Sequence, residues 1–364
     1  IRKESEEMKG ENRKVLSTIG ILLGVLLAAI LIQPLAAFGG SENELVIVSW
    51  GGGWTAAERK AYFDPFEKET GIKIIDTTSV GGKWAQVRSQ VTSGNIEWDL
   101  VSSVAGTYVV QYKDLLEKID YSIVTDTEGV IKQSLGEYVA GGQFESVNIA
   151  YNKDKFPGGN HPKTWAEFWD VKKFPGPRAF PNWGGGWFQP IAFALMADGV
   201  PPDKLIPFDY DRAFKKLDEL KPHITVWWTS GSQFQQVLRD EEVVLAAGWD
   251  GRIVDLGKKF PIGMEWNQGH KFGSGWAVVK GTKKKELAMR FINSALDAKK
   301  QAVFTKALGA APCNVKAFDH VTEQERMLRG SYPANSKKMF TMDETWLGEH
   351  LKDMQEKWET WIAE

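Results

Sequence analysis

The chain has 364 residues, 43% of them hydrophobic and 25% charged, with a formal net charge of −2. That length exceeds what one compact core comfortably organises, so two lobes are the default, and a near-neutral chain offers no basic field for nucleic acid. The single Cys313 excludes an internal disulfide and leaves redox chemistry without a partner thiol.

Arg13 and Lys14 precede an apolar run over 15–32, which Gln33 and Pro34 break before small residues follow. This pattern predicts an export signal over 1–37, cut after Ala37 or Gly39, with a retained N-terminal membrane anchor as the alternative. An apolar strand follows at 45–48 and runs into Trp50, three glycines and Trp54. Thr55 and Glu58 have capping-box spacing, predicting a helix toward Glu69 that Gly71 stops. A strand at 72–75, a helix at 84–92 and a short strand at 99–101 complete a βαβα series, which implies parallel sheet. In such sheets ligands sit beyond the carboxyl ends of the strands, where Trp50 and Ser102-Ser103 fall.

Gln143 to Asn152 reads as a strand leaving this unit. Thr164 caps a short helix, 178–180 is strand-like, and Trp183-Gly184-Gly185-Gly186-Trp187 repeats the glycine-tryptophan theme ahead of a helix at 188–197. Further helices are predicted at 211–220, 234–239 and 285–296, and strands at 225–228, 243–247 and 276–279. The pattern places residues 43–147 plus 277–364 in lobe 1 and residues 148–276 in lobe 2.

Several segments together resemble a known family: SWGGGWTAAERKAYFDPFEKETGIK, AYNKDKFP, TWAEFWDVKKFPG, WDGR and GAAPCN. In that order they are similar to bacterial extracellular solute-binding proteins, specifically the spermidine/putrescine-type branch of the type II periplasmic binding proteins that serve ABC importers. The resemblance spans roughly Leu45 to Phe318. It implies two α/β lobes, joined by two or three crossover segments, with ligand gripped in the cleft between them. It also implies permease subunits of an ABC transporter as partners, a monomer, and a periplasmic location.

Sixteen tryptophans are unusual for this length, and Trp50, Trp54, Trp183, Trp187 and Trp249 abut glycines at predicted strand ends. Aromatic faces attract an ammonium group by about 0.5–2 kcal/mol each when desolvated. The candidate ligand-binding residues are therefore Trp50, Gly53, Trp54, Glu145, Trp183, Trp187, Trp249, Asp250, Arg252 and Trp276. Asp250 and Arg252 follow a strand that ends at the cleft, and a local hinge ion pair between them is the competing reading. Glu145 lies at the first crossing, as a ligand counter-ion or an exposed strand residue. Arg178 and Asn314 are weaker candidates. Tryptophans 84, 98, 165, 169, 346, 358 and 361 are assigned to packing, and Trp227 and Trp228 cannot both face one side of a strand.

The polyamine branch typically carries acids where this chain has Gly184-Gly185-Gly186 and near Ser274. Their absence favours a smaller ligand with one ammonium, a γ-aminobutyrate-like zwitterion or a quaternary amine, while a polyamine stays open. Sugar binding, for which stacked tryptophans also serve, and delivery of ligand to a chemoreceptor remain alternatives. No enzyme is expected: the sequence has no GxxxxGK[ST] loop, no HExxH and no GxSxG elbow, and its five histidines are scattered. No metal or cofactor is expected.

Overall fold

The computed structural model describes residues 43–79, 82–182 and 188–364. The expected export segment and the loop holding Trp183 and Trp187 lie outside the described residues.

Strand β1 (Glu44–Ser49) hydrogen-bonds in parallel to β2 (Lys73–Thr78) and β3 (Leu100–Ala105). Helix α1 (Gly52–Glu58) passes through a π-helical turn (Arg59–Phe63) into α2 (Asp64–Thr70), and Gly71 closes the last turn with the left-handed φ of 74° that glycine tolerates. Helix α3 (Lys83–Ser93) follows β2, and α4 (Gly106–Tyr112) follows β3. The chain then enters β4 (Ala140–Asn152).

The second half contains α5 (Trp165–Trp169), β5 (Arg178–Pro181), α6 (Phe188–Ala197), α7 (Tyr210–Leu220), β6 (Ile224–Trp228), α8 (Gly231–Arg239), β7 (Leu245–Trp249) and α9 (Asp250–Gly257). The 17-residue β8 (Ile262–Val278) returns to the first half, so the short strand expected at 276–279 is the far end of a crossing strand. Helices α10 (Lys285–Ala295) and α11 (Ala298–Leu308), the two-residue β9 (Ala311–Pro312), the short α12 (Glu323–Met327) and α13 (Pro333–Ser336), and the 20-residue α14 (Glu344–Ala363) complete the chain.

The strands form one nine-stranded mixed sheet in the order β2-β1-β3-β8-β4-β7-β5-β6, with β9 on β4. Its two ends carry separate hydrophobic cores, one around Phe63, Phe291 and Trp276, the other around Trp165, Phe180 and Phe193. The two long antiparallel strands β4 and β8 join them, as the two-lobed α/β architecture requires. The last helix joins both halves: α14 packs on α4 and on α6, and its Trp358 and Trp361 enter the core of the second half.

Trp227 and Trp228 do face opposite sides of β6, yet neither side is open. Trp228 is fully buried against Phe234, while Trp227 packs on Trp358 and Trp361 of α14. Arg178 is structural: its guanidinium is fully buried and donates to the carbonyls of Phe168, Phe174 and Gly176. Asn314 is likewise committed, donating to Leu296 O at 2.9 Å and accepting from Lys316 N.

Candidate ligand cleft

The glycine loop after β1 turns because Gly51 adopts φ 78°, and a Cβ there would meet Thr78 Cγ2 at 2.7 Å. Gly53, the glycine singled out from the sequence, is exposed with open space around it. The expected capping box is absent. Thr55 Oγ1 instead accepts from Gly51 N at 2.9 Å and donates to Ser49 Oγ at 2.7 Å. Glu58 turns inward, where its carboxyl accepts from Ser49 Oγ, Ser102 Oγ and Trp54 Nε1. Burial raises this carboxyl to about 7, although all three hydrogen bonds pull it down.

Trp54 is thereby held in a structural role, its indole tied to Glu58 and packed edge-on against Phe304 at 5.4 Å. Trp50 differs, being 43% exposed. The Lys83 Nζ sits 3.9 Å from its ring centroid, so an internal cation already covers one indole face. Trp276 is a core residue, 2% exposed and packed against Tyr62, Phe63 and Phe291; the expectation that it lines the cleft is overturned by that burial. Trp249 is half-buried, with its ring 4.9 Å from that of Trp228.

Where β4 and β8 cross between the halves, carboxyl groups gather. Glu145, opposite Phe272 in the ladder, is half-buried and raised to about 7, first by burial and then by the charge of Asp250. Asp250, buried at the start of α9, accepts from Gly251 N at 2.8 Å and Ser146 N at 3.3 Å, and burial raises it to about 6. The hinge ion pair is not formed. Arg252 is exposed and donates to Gln235 Oε1 at 3.0 Å, although its charge lowers the pKa of Glu145. On the same ladder Glu344 of α14 accepts from Gly273 N and is raised to about 7, mainly by burial. None of these three carboxylates forms an ion pair within 4 Å among the described residues. Between the ladder and β3, Gln143 Nε2 donates to Ser103 Oγ at 2.9 Å and Ser274 Oγ at 2.8 Å, pinning a bulge where Ser103 takes φ 55°.

The structure thus holds two groupings of candidate residues, the carboxylates at the β4–β8 crossing and the Trp50–Lys83 pair at the strand ends. Two surface grooves of about 660 and 670 Å³ lie elsewhere, one between α2, α10 and α11, the other beside Trp84, Arg88 and Tyr112.

Residues 61–327 match the family model described as bacterial extracellular solute-binding protein. The chain belongs to that family. The solute-binding protein is 30% identical over 336 residues to a gamma-aminobutyric acid-binding protein of Pseudomonas aeruginosa, covering 90% of this chain and 93% of the relative. It superposes with a TM-score of 0.80 on an ABC transporter substrate-binding protein from Bradyrhizobium japonicum, at 36% identity over 88% of this chain and 99% of that one. A solved GABA receptor gives a TM-score of 0.79 at 33% identity, covering 88% and 97% of the two chains. The binding protein AgtB of A. tumefaciens R10, in complex with agropinic acid, gives 0.71 at 33%, covering 88% and 99%. The family expectation holds at the level of extracellular solute-binding proteins; the spermidine/putrescine branch is not carried by these relatives.

Three buried or half-buried charged residues of the solute-binding protein were not among the site candidates read from its sequence: Glu58, Lys83 and Glu344. Glu58 has the spacing of a helix cap, Lys83 has no motif around it, and Glu344 follows a run without periodicity. No helix among the described residues is long and apolar enough to cross a membrane, and no group of three or more His, Cys, Asp or Glu residues among them has metal-binding geometry.

Proposed function

We propose that this solute-binding protein captures a small amine-containing ligand in the periplasm and delivers it to the permease subunits of an ABC importer, with no bond made or broken. The observation carrying the reading is the adjacency of Glu145 and Asp250 at the crossing between halves, two poorly solvated carboxylates on which Arg252 and Arg329 act only through space, without an ion pair within 4 Å among the described residues. Two such acids repel each other and resist ionisation until a cation arrives, so an ammonium group relieves a penalty built into the empty protein. The names of the relatives, which give γ-aminobutyrate and agropinic acid, support the same class.

Lobe 1 would comprise residues 43–147 plus 277–364 and lobe 2 residues 148–276, with α14 lying across both. Ligand held by groups from both lobes favours the closed form that the permease reads. The sugar alternative loses support, because Trp54, Trp249 and Trp276 all have packing partners and, among the described residues, Trp50 is the only tryptophan with a broadly exposed face.

A thermal-shift screen with ω-amino acids, betaines, polyamines and sugars tests the proposal. Amines are expected to raise the melting temperature, by about 2.7 kcal/mol of stabilisation at a hundredfold excess over Kd. A shift with sugars alone would end the amine reading.

A further inference from the structure

We propose that Lys83 is an anion anchor on the first half of the cleft, taking the carboxylate of a zwitterionic ligand whose ammonium end goes to Glu145 and Asp250. The inference rests on the proposed amine reading and fixes the ligand's polarity and orientation.

Lys83 opens α3 beyond the carboxyl end of β2, beside the end of β1, the edge of a parallel sheet where ligands sit. It is only 7% exposed, and its ammonium makes no hydrogen bond among the described residues. Glu58, the carboxylate whose charge acts on Lys83, is occupied by Ser49, Ser102 and Trp54 and acts only through space. A lysine ammonium has three donors, and leaving all three unmade in a buried place is costly. What holds the group is the Trp50 face at 3.9 Å, a contact that supplies attraction but no acceptor. Trp50 is also the exposed ring of the loop, so one of its faces covers the ammonium while the ring stays open to solvent. A carboxylate entering beside or beneath the indole would give Lys83 its missing acceptors, in a place dry enough to make the hydrogen bonds strong. Burial also lowers Lys83 to about 8, which still leaves it mostly charged at neutral pH.

Opposite poles at the two sides of the cleft select against polyamines, which have no anionic end. They also select against choline-like cations relative to betaines.

Isothermal titration with 4-aminobutyrate and its amide 4-aminobutanamide, which keeps the ammonium but lacks the carboxylate charge, tests the assignment on wild type, Lys83→Met and Lys83→Arg. Wild type is expected to prefer the carboxylate roughly 100-fold, equivalent to about 2.7 kcal/mol. Lys83→Met should erase the preference and Lys83→Arg keep part of it. Without ligand, Lys83→Met should melt higher than wild type, because an unpartnered buried charge is removed. A purely structural lysine would instead lower it.

Equal binding of both probes by wild type, or unchanged 4-aminobutyrate binding by Lys83→Met, overturns the proposal. If neither probe binds, the pairs glycine betaine with choline and butyrate with butyramide are used. Binding of amines lacking a carboxylate alone sinks the Lys83 anchor and spares the amine reading. Binding of simple carboxylates that Lys83→Met abolishes sinks the amine reading and spares the anchor. Failure of every carboxylate sinks the anchor.

Discussion

Glu145 and Asp250 are held in a state that costs the empty protein stability. Glu145→Gln or Asp250→Asn is expected to weaken a cationic ligand by about 2–4 kcal/mol, since each removes one partner of a desolvated charge pair in the complex. The same variants should leave the melting temperature of the ligand-free protein unchanged or higher. Calorimetry beside a melting scan separates the two effects, and a fall in both would make these acids structural. Arg178 illustrates the opposite case, a charge whose donors are directed at three carbonyls. Arg178→Met should lower unfolding free energy by about 3 kcal/mol without changing ligand preference, measured by denaturant titration and by binding. The sequence ranked Arg178 below Asp250 but still kept it as a ligand candidate, because residue type does not reveal whether carbonyls or ligand space await a charge.

Among the elements, the first helix and the long crossing strands position the candidate site residues. Gly142, at φ 84°, lies where an added Cβ would meet Ser274 O at 2.0 Å, so β4 and β8 approach closely only because no side chain stands there. Gly142→Ala should destabilise by about 1–3 kcal/mol from backbone strain alone. It should also disturb the Gln143–Ser274 contact at 2.8 Å, visible as a lower melting temperature with weaker ligand binding. Most helices and strands were legible from periodicity and caps: Thr164 does accept from Glu167 N, and the helix at 188–197 has the expected limits. The full length of β8 was not legible, because the interior of a crossing strand is only half-covered and carries polar residues such as Glu265, Asn267 and Lys271. Nor was the inward turn of Glu58, since a glutamate three residues after a threonine reads as a cap until Ser49, Ser102 and Trp54 are seen around it.

For the whole molecule, raised carboxyl pKa values link stability to pH. Glu58, Glu145 and Glu344 are each raised to about 7 and Asp250 to about 6, so their contributions are complete below the ordinary carboxylate range and disappear as pH rises through 6–7. His270, lowered to about 3 by burial, has the opposite sign and acts below about 6.5. Lys83, lowered to about 8, returns stability above that pH. The ligand-free melting temperature should therefore fall between pH 6.5 and 7.5 and pass through a minimum near pH 8. A scan that rises across 6.5–7.5 would contradict these assignments. Affinity for an ammonium ligand should move the other way, weaker by roughly tenfold at pH 6 than at pH 8, as Glu145 loses its charge.

The paired spans of β4 and β8 run side by side through both halves as a hydrogen-bonded ribbon with two register shifts. A ribbon of that kind resists shear and stretching far more than it resists twist. Rotation of one end is therefore passed to the other along this ladder, and the register shifts between Ala140 and Gln143 and between Val147 and Ile149 are where its pairing is interrupted.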